Sequence, residues 1–241
     1  NDMLWDNFRI PAGPEIRGVM DTDSCVYVLS RQAGEGGDRK LDAGDFLLTP
    51  EEKTAIRYCA AHYEKFVLVI NCGSSLDMGF LEEIEGINAV LYICQSGTQG
   101  GNAVADVLSG AVNPSGKLSE SWPHALQDNP SHPYFPAKER TAEYREGLYI
   151  GYRYYETAKV PVRYPFGHGL SYTTFRYEDL KADSRAVTFR LTNTGKVDGA
   201  EVAQVYVSCR NGKVFRPAKE LKGFAKVFLK AGETKTVTIP L

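Results

Sequence analysis

The chain has 241 residues, 43% of them hydrophobic and 24% charged, which is the composition of an ordinary globular protein long enough to bury a core. Its formal net charge of −2 argues against nucleic-acid binding by a broad basic surface. No apolar run approaches the roughly 20 residues of a membrane helix, and the N-terminus NDMLWDNFRI lacks the basic start and apolar core of a secretory signal. In chain order, residues 15 to 122 alternate strand and helix signals. Asp23 to Ser30 reads as a strand. Thr49 to Lys65 reads as a helix, with Thr49 as N-cap, Pro50 in the first position and Glu52 completing a capping box. The run KFVLVIN, Lys65 to Asn71, is a buried strand, Met78 to Gly86 a short helix, Ala89 to Cys94 a second buried strand, and Gly100 to Gly110 a helix closed by glycine. Strands without alternation, separated by helices, imply a parallel sheet covered on both faces, and hence an α/β fold.

Residues 175 to 241 change character. AVTFRLTN, EVAQVYVS and TKTVTIPL have strand composition with partial period-two alternation, NTGKVDG and KAGE supply turns, and no helix signal of any length remains. An all-β immunoglobulin-like sandwich is expected there, incomplete because such domains take about 100 residues. Between the halves lies a connector, residues 123 to 174. Eight of the 14 tyrosines fall between Tyr144 and Tyr177. They could form a stacking platform for sugars; the plainer expectation is packing, with hydroxyls reaching polar edges.

Five cysteines, Cys25, Cys59, Cys72, Cys94 and Cys209, form no CxxC pair. They read as buried reduced thiols, which favours a reducing, cytoplasmic setting. No metal or cofactor is expected.

Two segments could carry chemistry. CQSGTQGGN, Cys94 to Asn102, joins a strand to a helix and could hold a phosphate on Gly97 to Gly101, but it matches neither GxGxxG nor GxxxxGK[ST]. SRQAGEGGDR, Ser30 to Arg39, follows a strand and so lies where open α/β sheets place ligands. Gly34 and Gly36 free the backbone on both sides of Glu35 and leave its carboxyl group unshielded, which suits a general acid/base acting on a substrate held elsewhere. The alternative is a solvated loop in which Glu35 pairs with Arg31 or Arg39. Arg31, Asp38 and Arg39 are candidate loop contributors to substrate binding.

The pieces SRQAGEGGDRK, LVINCGSSLDM, QGGNAVADVLSGAVNPSGKLSESWP, YREGLYIGYRYYE, YPFGHGLSYTTF, LTNTGKVDGAEVAQVYV and ELKGFAKVFLKAGE, in that order, resemble glycoside hydrolase family 3, the β-glucosidase family, from about Pro14 to Leu241. NPSGKL and FGHGLSYT are the most specific. The resemblance implies three parts: a (β/α)8-type barrel with an aspartate nucleophile, an α/β sandwich domain with the acid/base glutamate, and a fibronectin type III-like domain. In the similar branch the acid/base lies in SxxSGEGxDR, so Glu35 takes that role. Ala33 departs from a common serine, and Gly37 from a common tyrosine or other side chain.

The expected organisation is therefore an α/β sandwich domain over residues 1–122 with its first strand absent, a Tyr/Pro-rich connector over 123–174 packing on both domains, and a fibronectin-like domain over 175–241 lacking its last strands. The implied function is the acid/base-bearing part of a retaining β-glycosidase acting on β-linked glucosides or related glycosides. Its partner would be the barrel of the same enzyme, with neither nucleic acid nor membrane involved. Glu51 and Glu52, occupied in capping a helix, are expected to be silent in catalysis. A non-catalytic carbohydrate-binding or scaffolding module is the alternative. The sugar, its linkage and the oligomeric state stay open.

Overall fold

The computed structural model describes residues 22–31, 38–136, 140–141, 143–209 and 211–241. These divide into two compact units, one ending at Gly100 and the other running from Gly101 to Leu241. In the first, β1 (Ser24–Ser30), β2 (Lys65–Asn71) and β3 (Ala89–Tyr92) form a parallel sheet in the order β1-β2-β3, with Ser24 opposite Lys65 and Val67 opposite Ala89. Parallel neighbours need crossovers. These contain α1 (Pro50–His62) and α2 (Phe80–Glu83).

Helix α1 starts where the capping box places it. The Thr49 hydroxyl accepts from the Glu52 amide, and the Glu52 carboxylate accepts from the Thr49 amide. Its buried residues, Glu52, Ala55, Ile56 and Cys59, follow the i, i+3, i+4, i+7 spacing of one helix face, and the helix packs on β1. Phe66, Leu68 and Ile70 on β2 have no exposed surface. Each such burial is worth about 1.5–3 kcal/mol. The expected cover on both faces is met at the central strand but not at β3, read as buried, where Ala89 and Val90 are exposed, nor at β1. There Tyr27 and Leu29 are buried while Val26 and Val28 are each 49% exposed, because an edge strand here keeps one face open.

In the second unit, α3 (Gly100–Leu108) begins at the division. A short antiparallel pair, β4 (Trp122–Pro123) and β5 (Val162–Tyr164), brackets α4 (Tyr152–Ala158). The chain then forms β6 (Phe175–Ala182), β7 (Ala186–Asn193), β8 (Gly199–Val207), β9 (Glu220–Leu229) and β10 (Thr234–Pro240). They make two antiparallel sheets, β10-β7-β6 and β8-β9. Alternate residues of both, Val187, Phe189, Leu191, Ala203, Leu229, Val237 and Ile239, close one core. On the other face of the β7–β10 pair, threonine hydroxyls meet across the strands at Thr188–Thr238 (2.9 Å) and Thr192–Thr234 (2.8 Å).

None of the five cysteines forms a disulfide. The expectation that they are buried holds for Cys59 and Cys72, while Cys25 is half-buried and Cys94 and Cys209 are exposed. Burial, with Cys25 as neighbour, pushes the Cys59 thiol up to about 12, so it is no nucleophile at neutral pH.

Candidate functional site

In a parallel sheet all carboxyl ends lie along one edge. Here that edge gathers the segment after β1, the turn after β2 and the turn after β3. The last two touch: a side chain on Gly73 would run into the Gln95 side chain. Glu35, with Ala33, Gly34, Gly36 and Gly37, lies outside the described residues, so the site is built from the two stems that flank it.

The first stem is Arg31. Its amide donates to the Asn71 carbonyl (2.9 Å), which carries the β1–β2 ladder one residue further. Its side chain turns inward and is buried. Nη1 and Nη2 donate to the two oxygens of Glu52 at 2.6 and 2.7 Å, a bidentate pair. The remaining donors go to carbonyls: Nε to Asp45 (2.7 Å), Nη1 to Ser30 (2.9 Å) and Nη2 to Leu47 (3.3 Å). A guanidinium has five N–H groups, and all five are engaged within this unit. Arg31, a candidate for contacting substrate, is instead a buried clamp with no donor left for a ligand or for Glu35. Tyr27 stands close by. Its buried hydroxyl has no hydrogen-bond partner among the described residues, and burial first, then the Glu52 charge, push its acidity well below that of an ordinary phenol.

The second stem is Asp38 to Lys40. Asp38 is exposed. Arg39 uses Nε on the Asp45 carboxylate and Nη1 on the Ser74 hydroxyl, while its buried Nη2 has no partner among the described residues. The Lys40 amide donates to the other Asp45 oxygen at 2.7 Å. Asp45 sits on a turn that depends on Gly44, where φ is +89°. The turn is closed by backbone bonds from Gly44 N–H to Leu47 (2.9 Å) and from Leu47 N–H to Asp42 (3.1 Å).

The structure thus shows two roles the sequence did not announce. Glu52 is not only a cap but the counter-ion of a buried arginine, so its substitution cannot be silent for the fold. Asp45 meets both stems. Arg39 in SRQAGEGGDRK also binds Ser74 in LVINCGSSLDM, so two pieces singled out for resemblance meet here.

The Gly97–Gly101 turn offers little to a phosphate. The first amide of α3, at Gly100, is already spent on the Gly97 carbonyl (2.9 Å). In the second unit NPSGKL and FGHGLSYT meet each other. Leu118 N–H donates to His168 O and Gly167 N–H to Leu118 O, both at 2.8 Å. Lys117 donates to the Gly169 carbonyl (2.7 Å) and pairs with Glu201 (3.1 Å). Asn113 accepts from Ser171 Oγ and Tyr172 N–H at 2.9 and 2.8 Å and donates to the Asp198 carbonyl at 2.9 Å. The most distinctive motifs therefore form a structural latch. The tyrosines are largely occupied as well. Tyr152 stacks on Phe166 and meets Tyr206 edge-on, its hydroxyl accepts from Leu221 N–H, and Tyr206 donates to Gln204. A cleft of about 560 Å³ beside them is bordered by Lys219 and Glu156, which pair with each other at 2.8 Å.

Comparison with known proteins bears on the whole chain. Residues 15–172 match the glycosyl hydrolase family 3 C-terminal domain, and residues 201–241 match a fibronectin type III-like domain. A thermostable β-glucosidase B of Acetivibrio thermocellus is 43% identical over 94% of this chain, which corresponds to 31% of that protein. The structure of β-glucosidase 3B from Thermotoga neapolitana in complex with glucose superimposes with a TM-score of 0.84 at 39% identity, over 90% of this chain and 32% of that one. A β-glucosidase from Paenibacillus barengoltzii gives a TM-score of 0.89 at 33% identity, over 97% and 27%. The chain spans about a third of the length of the relatives it matches.

Proposed function

The chain belongs to glycosyl hydrolase family 3, and we propose that it supplies the general acid/base of a retaining β-glycosidase whose nucleophile stands on a barrel domain. The observation that carries the reading is the family match over residues 15–172, which spans Glu35 and the glycines on either side of it in the sequence. In this reading Glu35 protonates the leaving oxygen while an aspartate of the barrel attacks the anomeric carbon. The resulting carboxylate of Glu35 then takes a proton from the water that releases the sugar. The substrate class is β-linked glucosides or related glycosides. The names of the relatives support that choice, and the barrel would set the linkage. One carboxyl group cannot form the glycosyl intermediate, so the chain by itself hydrolyses no aryl β-glucoside. Five cysteines outside any disulfide support a cytoplasmic setting for the enzyme.

The test is Glu35→Ala in the full-length product of the gene. The rate on a β-linked disaccharide should fall roughly 10²–10⁴-fold. Loss of kcat/KM should be much smaller with a dinitrophenyl leaving group, which needs no proton. Azide should restore turnover and give a glycosyl azide of retained configuration. A near-normal rate on the disaccharide would remove the assignment and leave a solvated loop.

A further inference from the structure

Residues 32–37 include three glycines in six positions. Glu35 is among them, and the described residues that flank this stretch are Arg31 on one side and Asp38 to Lys40 on the other. The two flanks converge on one residue. Asp45 takes Arg31 Nε on its carbonyl oxygen (2.7 Å), Arg39 Nε on one carboxylate oxygen, and the Lys40 amide on the other (2.7 Å). We propose that Asp45 is a positioning residue for the general acid/base, its carboxylate fixing the outgoing stem of the Glu35 segment against the incoming one. The proposal rests on the reading of Glu35 as acid/base.

The Asp45 side chain has no competing local duty. The turn it sits on is closed by backbone bonds at Gly44, Leu47 and Asp42. The incoming stem is also held without the carboxylate, since Arg31 keeps Glu52 and three carbonyls. Removing the carboxylate therefore releases one end only, that of Arg39 and Lys40. Arg39 Nη1 retains Ser74, so the stem loosens without leaving the sheet edge. The carboxylate is partly open to solvent, with 28% of the side chain exposed, so its loss leaves no deep cavity. What changes is the precision with which a proton donor meets the leaving oxygen. A displacement of about 1 Å in such a group costs on the order of 10²-fold.

The test uses the full-length gene product and two substrates, a β-linked disaccharide that needs protonation of its leaving group and a dinitrophenyl β-glucoside that does not. Asp45→Asn keeps the shape and the carbonyl but loses the charge that holds Arg39. It should lower kcat/KM on the disaccharide about 10–10²-fold and leave the activated glucoside within a few-fold. Arg39→Lys, which keeps charge but not the fork, should give the same selective loss. The double variant should lose little beyond either single one, because both act through one contact. Equal losses on both substrates, or none on either, would overturn the proposal, since a general weakening of the fold does not distinguish leaving groups. Glu35→Ala run in parallel separates the two claims. If it shows the selective loss and Asp45→Asn does not, the positioning role alone fails; if Glu35→Ala shows no selectivity, the acid/base reading fails and takes this proposal with it.

Discussion

Each unit uses a cation to hold distant segments together, and the two do so by different means. In the first, Arg31 and Arg39 are met by carboxylates, Glu52 and Asp45, so side-chain charge draws the stems of the Glu35 segment to one place. In the second, Lys117 has Glu201 beside it, but most of the latch is backbone: carbonyl and amide bonds between NPSGKL and FGHGLSYT, and an approach so close that a side chain on Gly169 would collide with the Gly116 carbonyl. The charge-built join lies at the sheet edge where chemistry is proposed; the backbone-built join lies in scaffold. Distinctiveness in sequence therefore marked the scaffold more strongly than the site. Glycines that permit close contact accept no substitute, whereas an ion pair constrains two positions far apart and leaves no run to notice.

The contrast can be broken most severely at Glu52. Glu52→Ala leaves the buried Arg31 guanidinium without a counter-ion and removes half of the capping box. It should cost about 3–5 kcal/mol in the unfolding transition of the first unit, read by urea denaturation. The exposed neighbour substitution Glu51→Ala should stay within about 0.5 kcal/mol. If the two were alike, charge would not be what holds this join.

Gly169→Ala is the matching strike on the second unit. The added methyl meets backbone rather than a flexible side chain, so the latch must move apart. A loss of about 1–3 kcal/mol is expected, with faster amide exchange at Leu118 and Gly167, whose N–H groups span the two motifs. Unchanged exchange at both would show that the backbone contact is dispensable.

The smallest effect concerns acidity. His168 stacks on Tyr164, and burial first, then the charge of Lys117, hold its pKa below the ordinary histidine value of 6.5. Unfolded chains therefore bind a proton that folded ones refuse. Stability should be complete above about pH 6.5 and decline as pH falls from there through the lowered folded value. His168→Gln should flatten the dependence of the melting temperature in that window. A decline of the same size in the variant would assign the acid sensitivity to another group.

Much of the framework was legible in the sequence because composition and length suffice for it. KFVLVIN and AVTFRLTN are strands with the bounds their apolar runs suggest, and Thr49, Pro50 and Glu52 mark the start of α1. Of the elements not read, three were missed for a local reason. α4 is a run of tyrosines entered from Gly151 at φ +59° with no capping side chain, so it carries no start signal. β6, FRYEDLKA, exposes charge along most of its length, and β9, ELKGFAKVFL, sets lysines and a glycine among its apolar residues. At the site the glycine frame around Glu35 left an acid/base and a solvated loop both open, and the family resemblance favoured the acid/base. The side-chain partners of Arg31 and Arg39 lie 6 to 35 residues away, a separation no periodicity records.

The uneven burial of the thiols has a practical side. Cys59 and Cys72 are sealed in the interior and Cys25 is half covered, whereas Cys94 is exposed in the first unit and Cys209 in the second. A maleimide dye applied to the native chain would thus mark one fast-reacting position per unit with no engineering. Energy transfer between two such dyes turns the pair into an internal ruler, able to report whether the units move as one when a sugar or a barrel is added.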